Sequence, residues 1–586
     1  MKKLLLALSA MAIFGCSENT SPTESSTNTS DATEMEGVGG VNVITSTIIS
    51  DPANDPYSVE NMSKAMRKQV LAKSGADSQE VEQLTLEPNY LYVRFLANGK
   101  QGVSELKAYD TSLVLFKHPL DYKPIRKPAV YIDPSLPDSI IPMFATVPAN
   151  YKFGPTKYEV IKKLFLVEPL DGECEDDECS DVADSTTAVR ALAKKASDQP
   201  SSLMEKLNDV GVSLRDIEWE SLSMTGNLDK RIDDTQKLKP GESPVMGWSL
   251  FGGGKKLGGH LTYEDEYFKD KKGKLIPQPL VGVRVTGGYS YYWREAHTDK
   301  NGYFKIPEKW NFKIDYEANF DSDDFLLEDG HSWYGEDLEI EHNNYKSDWN
   351  ETFTGDEAKW CVVWTAAYQY WYGNNFGLKK PWKNTASNMS MDIIVYYKNS
   401  KDYKKDVGCT GESIGCTQTN SNFFHDDRIS VLASGVDSRV IYRTTIHESS
   451  HVSQYSHQKK GSFSKLDTIY VETFARGIEM YFAKDRYGDP GLYFKVNGKT
   501  SISYFHNYTG LITDLIDDVT STADLKKSNI DKVSGFNIKD IETAFFNSDS
   551  MNALKKYLKE KYPSGKNGRK YSSSDLDKLF DYWTKL

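Results

Sequence analysis

Histidine is scarce in this chain, with ten residues in 586. Cysteine is scarcer, at six, too few for a disulfide scaffold, so the fold has to rest on apolar cores. Basic side chains are outnumbered, 71 Lys and Arg against 84 Asp and Glu, and the net charge of −13 argues against nucleic acid as a partner. Long apolar runs are missing apart from Leu4–Phe14, which is too short to cross a bilayer. Aromatic residues are plentiful at 12%, a share that suits large β-rich cores and binding clefts alike.

Against that scarcity, His447-Glu448-Ser449-Ser450-His451 stands out. Helix positions four apart lie about 40° apart around the axis and about 6 Å apart along it, so both imidazoles can reach one ion. Zinc takes neutral histidine nitrogen, and catalytic sites use three protein ligands with one position kept for water. Glu448, next to the first histidine, is placed to act on that water as a general base. Thr444-Thr445-Ile446 before the motif and Val452 after it carry no charge, as expected of a helix in a protein interior.

Two residues compete for the third ligand position. His457 gives the spacing of metzincins, but Gln454 stands where those proteins need a glycine with positive φ to leave the helix. Glu472 interrupts the edge of an apolar helical face formed by Val471, Phe474, Ala475, Ile478 and Phe482. A carboxylate there is costly unless it meets a cation. The interval after His451 leaves room for a loop and a return helix, as in gluzincins, and Glu472 is the preferred ligand. The competing reading pairs Glu472 with Arg476 on a helix surface.

Three segments, Thr444–His451, Val471–Gly477 and Tyr508–Asp517, with Val533–Glu542 beyond them, resemble a family of secreted zincin-like metalloproteases among Bacteroidetes-type lipoproteins. The resemblance implies Zn2+ held by His447, His451 and Glu472, with Glu448 as base and a protein or peptide substrate. Arg476 departs from the thermolysin-like pattern, which has an acid at that position, so the group orienting the first histidine is not given by the motif. Tyr508, in Phe505-His506-Asn507-Tyr508, is the candidate donor to the oxyanion.

The N-terminus reads as a lipoprotein signal peptide over 1–15: Met1-Lys2-Lys3, the apolar run, then Ile13-Phe14-Gly15-Cys16, which looks like a lipobox. A lipid on Cys16 would tether the protein to the cell envelope, with outer-membrane sorting expected from Ser17. Residues 16–45 have almost no apolar side chains up to about Gly40 and are expected to be a disordered tether. Cys174 with Cys179 and Cys409 with Cys416 are close enough to staple two loops, leaving Cys361 as a buried thiol. The acidic Glu175–Glu178 loop reads as solvated rather than calcium-binding, whereas His425–Arg428 reads as a turn that is a candidate for a calcium-binding carboxylate.

The expected fold is multidomain α+β. Residues 46–250 form an α+β unit, with a helix at 58–74, strands at Tyr90–Phe95 and Leu113–Phe116, helix or strand at Tyr158–Phe165, and a short helix at 201–212. Residues 251–345 resemble a carboxypeptidase regulatory-like module, a transthyretin-like β-sandwich, through Pro279-Leu-Val-Gly-Val-Arg-Val285 and Thr298-Asp-Lys-Asn-Gly-Tyr-Phe304. Residues 346–586 form the mainly helical zincin-like domain, with Met391–Tyr397 or Arg439–Tyr442 as the edge strand for substrate. The function read from this is zinc-dependent peptide hydrolysis; the alternatives are an inactive zincin-like binding module and a glycan-binding lipoprotein.

Overall fold

The computed structural model describes residues 55–74, 78–120, 129–167, 201–232, 255–330, 336–381, 390–396, 415–418, 428–488, 509–517 and 532–584, single positions 132, 134, 138, 346 and 434 apart, and two short strands at 34–36 and 42–44. The signal peptide, Cys16, Cys174, Cys179, Cys409, His425 and Tyr508 lie outside the described residues. Among the described residues, no helix is long and apolar enough to cross a membrane. Cys361 is a free, buried cysteine. The strands Glu34–Glu36 and Asn42–Ile44 fall inside the stretch expected to be a tether. Val43 and Ile44 are β-branched, and they pair in parallel with Val130 and Tyr131.

The described chain is mixed α+β. In the N-terminal unit, Tyr90–Asn98 lies between Ile140–Pro148 and Lys157–Leu164, antiparallel to both. Tyr158–Phe165 therefore resolves as strand. Leu113–Phe116 forms no strand, only a single bridge from Phe116 to Phe144. Helix Gly99–Tyr109 follows the central strand directly and buries Leu106 against Val93, Phe95 and Met143. Helices Val59–Ser74 and Leu214–Met224 enclose a second core around Met62, Met66 and Ile217.

Between residues 255 and 353 two sheets face each other. One holds Tyr292–His297, Arg284–Tyr289, Ile314–Asn319 and Glu339–Tyr345, in that order. The other holds Tyr303–Trp310, Lys255–Tyr263 and Trp349–Phe353, with Gln278–Pro279 paired to the end of Lys255–Tyr263. Aromatic rings fill the space between them: Tyr316 of the first sheet lies 5.9 Å from Phe304 and 5.8 Å from Trp349 of the second.

Two strands sit across the expected border at residue 345. Phe325–Asp329 leaves the β unit and pairs in parallel with Met391–Tyr396 of the C-terminal unit. The chain then returns, and Trp349–Phe353 pairs in parallel with Lys255–Tyr263. The C-terminal sheet runs Glu336–Asp337, Phe325–Asp329, Met391–Tyr396, Arg428–Leu432, Gly415–Gln418. Its three middle strands are parallel and its outer two antiparallel to them.

This order corrects the expected edge strand. Met391–Tyr396 is central and buried at every position, and its one charged residue, Asp392, is paired with Lys100. Arg439–Tyr442 is the first turn of a helix, Ser438–His457. Val440 and Ile441 mimic a strand locally, but Asp437 caps the helix by accepting the Val440 N–H. The edge nearest that helix is Gly415–Gln418.

Gly355–Trp371 and Ser438–His457 pack on this sheet, and Ser438–His457 in turn packs against a third helix, Thr468–Tyr487. Asp467 caps the last at Ile469, and Gly488, at φ +72°, ends it. Gly477 lies mid-helix, where glycine costs about 1 kcal/mol against alanine. Space explains it, since a Cβ at 477 would stand 2.3 Å from Cδ1 of Ile512. The glycine lets Leu511–Ile516 close against the helix.

A loop of the β unit grips the ends of these helices. Glu266 accepts the Ser438 N–H at 2.7 Å and pairs with Lys359 at 3.0 Å. Asp265, fully buried, meets Arg486 at 3.3 Å and accepts the Tyr487 hydroxyl at 3.0 Å.

Candidate metal centre

His447 and His451 project from the Ser438–His457 helix toward Glu472 on the return helix. The two Nε2 atoms are 3.1 Å apart, and Glu472 Oε2 lies 3.1 Å from that of His447 and 3.6 Å from that of His451. Ligands at 2.0–2.1 Å from a tetrahedral zinc stand about 3.3–3.4 Å from one another. The triangle has that size. These three side chains are the one group of three metal-ligating residues found among the described residues.

The electrostatics also favour a cation. Burial works against a charge on His447, but hydrogen bonding to Glu472 and Glu479, with Glu448 nearby, raises its pKa to about 10. Burial likewise opposes ionisation of Glu472, yet the two histidines hold it well below the usual carboxylate range. The carboxylates that raise the pKa of His447 would attract a metal ion in the same way, and zinc binding would release the proton, because a ligating imidazole is neutral.

Behind His447 stands a residue the sequence reading missed. Glu479 Oε2 lies 3.1 Å from Nδ1 of His447. Its carboxylate takes Nε–H of Arg443 at 2.8 Å and Nη1–H of Arg476 at 2.9 Å. Burial opposes its charge, but Arg476, Arg443 and His447 together keep it ionised. An acceptor at Nδ1 fixes the proton there and leaves Nε2 with its lone pair free for a metal. Arg476 therefore pairs with Glu479 and not with Glu472. The signal was present: Glu479 follows Glu472 by two helical turns, and Arg443 precedes His447 by one. The Nδ1 atom of His451 is buried without a hydrogen-bond partner.

Glu448 is buried beside the first histidine. Its carboxylate packs on the edge strand, where a Cβ at Gly415 would stand 2.9 Å from Glu448 Oε1 and 2.3 Å from Cγ2 of Thr444. Ser449 and Ser450, both fully buried, satisfy their hydroxyls on the carbonyls of Thr445 and Ile446.

His457 is placed elsewhere. The helix runs through Gln454 without the exit that metzincin spacing requires. His457 ends it with Nε2 3.0 Å from the Lys380 carbonyl and its ring stacked on Phe546.

The donor set of two imidazoles and one carboxylate suits zinc, and a buried acid beside the first ligand suits hydrolytic chemistry. No family model, curated protein or solved structure matches this chain.

Proposed function

We propose that this protein is a zinc-dependent peptide hydrolase of the cell envelope, anchored through a lipid on Cys16. The observation that carries the reading is the triangle of His447 Nε2, His451 Nε2 and Glu472 Oε2, with separations of 3.1 to 3.6 Å. When bound there, zinc supplies a Lewis acid that polarises a carbonyl and lowers the pKa of water.

The chain's own residues account for the remaining tasks. Glu448 takes a proton from the attacking water and returns it to the leaving amine as the C–N bond breaks. Glu479 holds the His447 ring in one tautomer and one orientation. The Gly415–Gln418 edge strand has backbone groups to pair with an extended substrate beside Glu448. Tyr508 is the proposed donor to the oxyanion. The two facing sheets are proposed to be the transthyretin-like, carboxypeptidase regulatory-like module, here serving to hold helices as well as to space domains.

A peptide-library cleavage assay, with and without chelator, tests the proposal. Expected is chelator-sensitive cleavage restored by zinc and lost in Glu448→Gln. No cleavage by zinc-loaded protein would leave the inactive binding-module reading in its place, and cleavage that persists in Glu448→Gln would remove Glu448 as the base.

A further inference from the structure

A concavity lies far along the chain from the metal centre, between the N-terminal sheet and the β unit. Its volume is about 60 Å³, and it is lined by Tyr90 and Tyr151 from one unit and by Trp293 from the other. A water needs about 10–15 Å³ of such space, so there is room for roughly four to six waters, or for one edge of a ring-shaped ligand. Four polar residues without rings share the lining: Asp110, Ser112, Thr146 and Arg294.

These polar groups are held in place. Arg294 donates to Glu308 at 3.0 Å and lies 4.1 Å over the ring of Tyr292. Asp110 Oδ1 accepts both the N–H and the hydroxyl of Ser112, at 2.9 and 2.6 Å. Two residues that support this wall have left-handed backbone that side chains rarely adopt, Ser290 at φ 52° and Glu308 at φ 76°. Such strain persists only where surrounding structure enforces it. The Thr146 hydroxyl is buried with no hydrogen-bond partner.

We propose that this cleft is a binding subsite for a neutral carbohydrate. The lining does not call for an ionic ligand: Arg294 is already paired with Glu308, and Asp110 already accepts from Ser112. Hydrophobic side chains are disfavoured too, because they would leave the buried Thr146 hydroxyl without a partner. A sugar ring offers an apolar face to Tyr and Trp rings and hydroxyls that both donate and accept. Sites of this kind, aromatic with a few convergent polar groups, concentrate at interfaces between domains. The inference does not depend on the metal centre.

The test uses the purified full chain, titrated by calorimetry and tryptophan fluorescence with cellotetraose, xylotetraose, maltotetraose and chitotetraose. Tetralysine, tetraglutamate and a tetraphenylalanine peptide serve as probes of the other ligand classes. Expected is saturable binding of at least one neutral oligosaccharide, weakened about tenfold in Asp110→Asn and in Thr146→Val, as loss of one buried hydrogen bond predicts. Melting temperature and zinc content report whether each variant keeps its fold, and if Asp110→Asn does not, the isosteric Thr146→Val decides. No binding of any of the four sugars at millimolar concentration, binding unchanged by the variants, or tighter binding of a peptide probe overturns the proposal.

Discussion

Glu479 Oε2 lies 3.1 Å from Nδ1 of His447, two helical turns beyond Glu472 on the same helix. The helix thus supplies one carboxylate for the metal and another for the histidine that binds it. Replacing Glu479 by Gln keeps a hydrogen-bond acceptor but removes its charge, leaving Arg443 and Arg476 without their shared partner. Loss of such an outer partner weakens metal binding by about 10- to 100-fold. Zinc dissociation constants from competition with a chromophoric chelator should show that loss, and an unchanged constant would remove Glu479 from the site.

Glu448→Gln separates chemistry from assembly. The substitution is isosteric and touches neither histidine ligand. Zinc content should match the wild type while peptide cleavage falls to background, a drop of about 10²-fold or more if Glu448 is the base. Atomic absorption and a fluorogenic peptide assay on the same preparation read both quantities.

Gly415→Ala probes the edge strand from the other side. Its Cβ would come within 2.3 Å of Thr444 Cγ2 and 2.9 Å of Glu448 Oε1. Something has to shift, and the carboxylate is the more mobile of the two. Expected are wild-type zinc content, a fall in kcat and a smaller change in KM, measured by steady-state kinetics.

The sequence made the metal triangle legible because its spacing is a helical spacing, and helical spacing translates directly into shared faces. Glu472 was readable as an acid that spoils an apolar stripe. Glu479 was overlooked because Arg476 occupied the position where an acid was sought. The edge strand was unreadable for a different reason: Val440 and Ile441 favour strand locally, and only the Asp437 cap and tertiary packing make them helix. Leu113–Phe116 shows the reverse, an apolar run that pairs at one residue only.

Asp265 ties the β unit to the return helix, and it is fully buried. Asp265→Ala leaves Arg486 in the interior without its partner carboxylate. Removing one member of a buried ion pair costs about 3–5 kcal/mol. Chemical denaturation should show that loss, while an Asp265→Ala protein of wild-type stability would mean the contact contributes nothing.

Glu542 gives the stability a pH dependence separate from the metal. Burial raises its pKa to about 8, although the Lys379 N–H donates to it at 2.9 Å. A raised pKa means that the folded state holds the proton more tightly than the unfolded one, whose value is near 4.5. The contribution is complete below about pH 4.5 and is lost as pH rises through about 8. Glu542→Gln should flatten that part of the melting-temperature profile, recorded with zinc saturating, and an identical slope in both proteins would exclude Glu542 as its source.

The exchange of strands around residues 325–353 limits how this protein can be divided. A break anywhere between Phe325–Asp329 and Trp349–Phe353 would separate each strand from the sheet it completes, leaving open edges on both fragments. Neither half is then a portable module for gene fusion or shuffling. Evolution would have to inherit the pair together, and an expression boundary drawn at residue 345 should yield insoluble pieces.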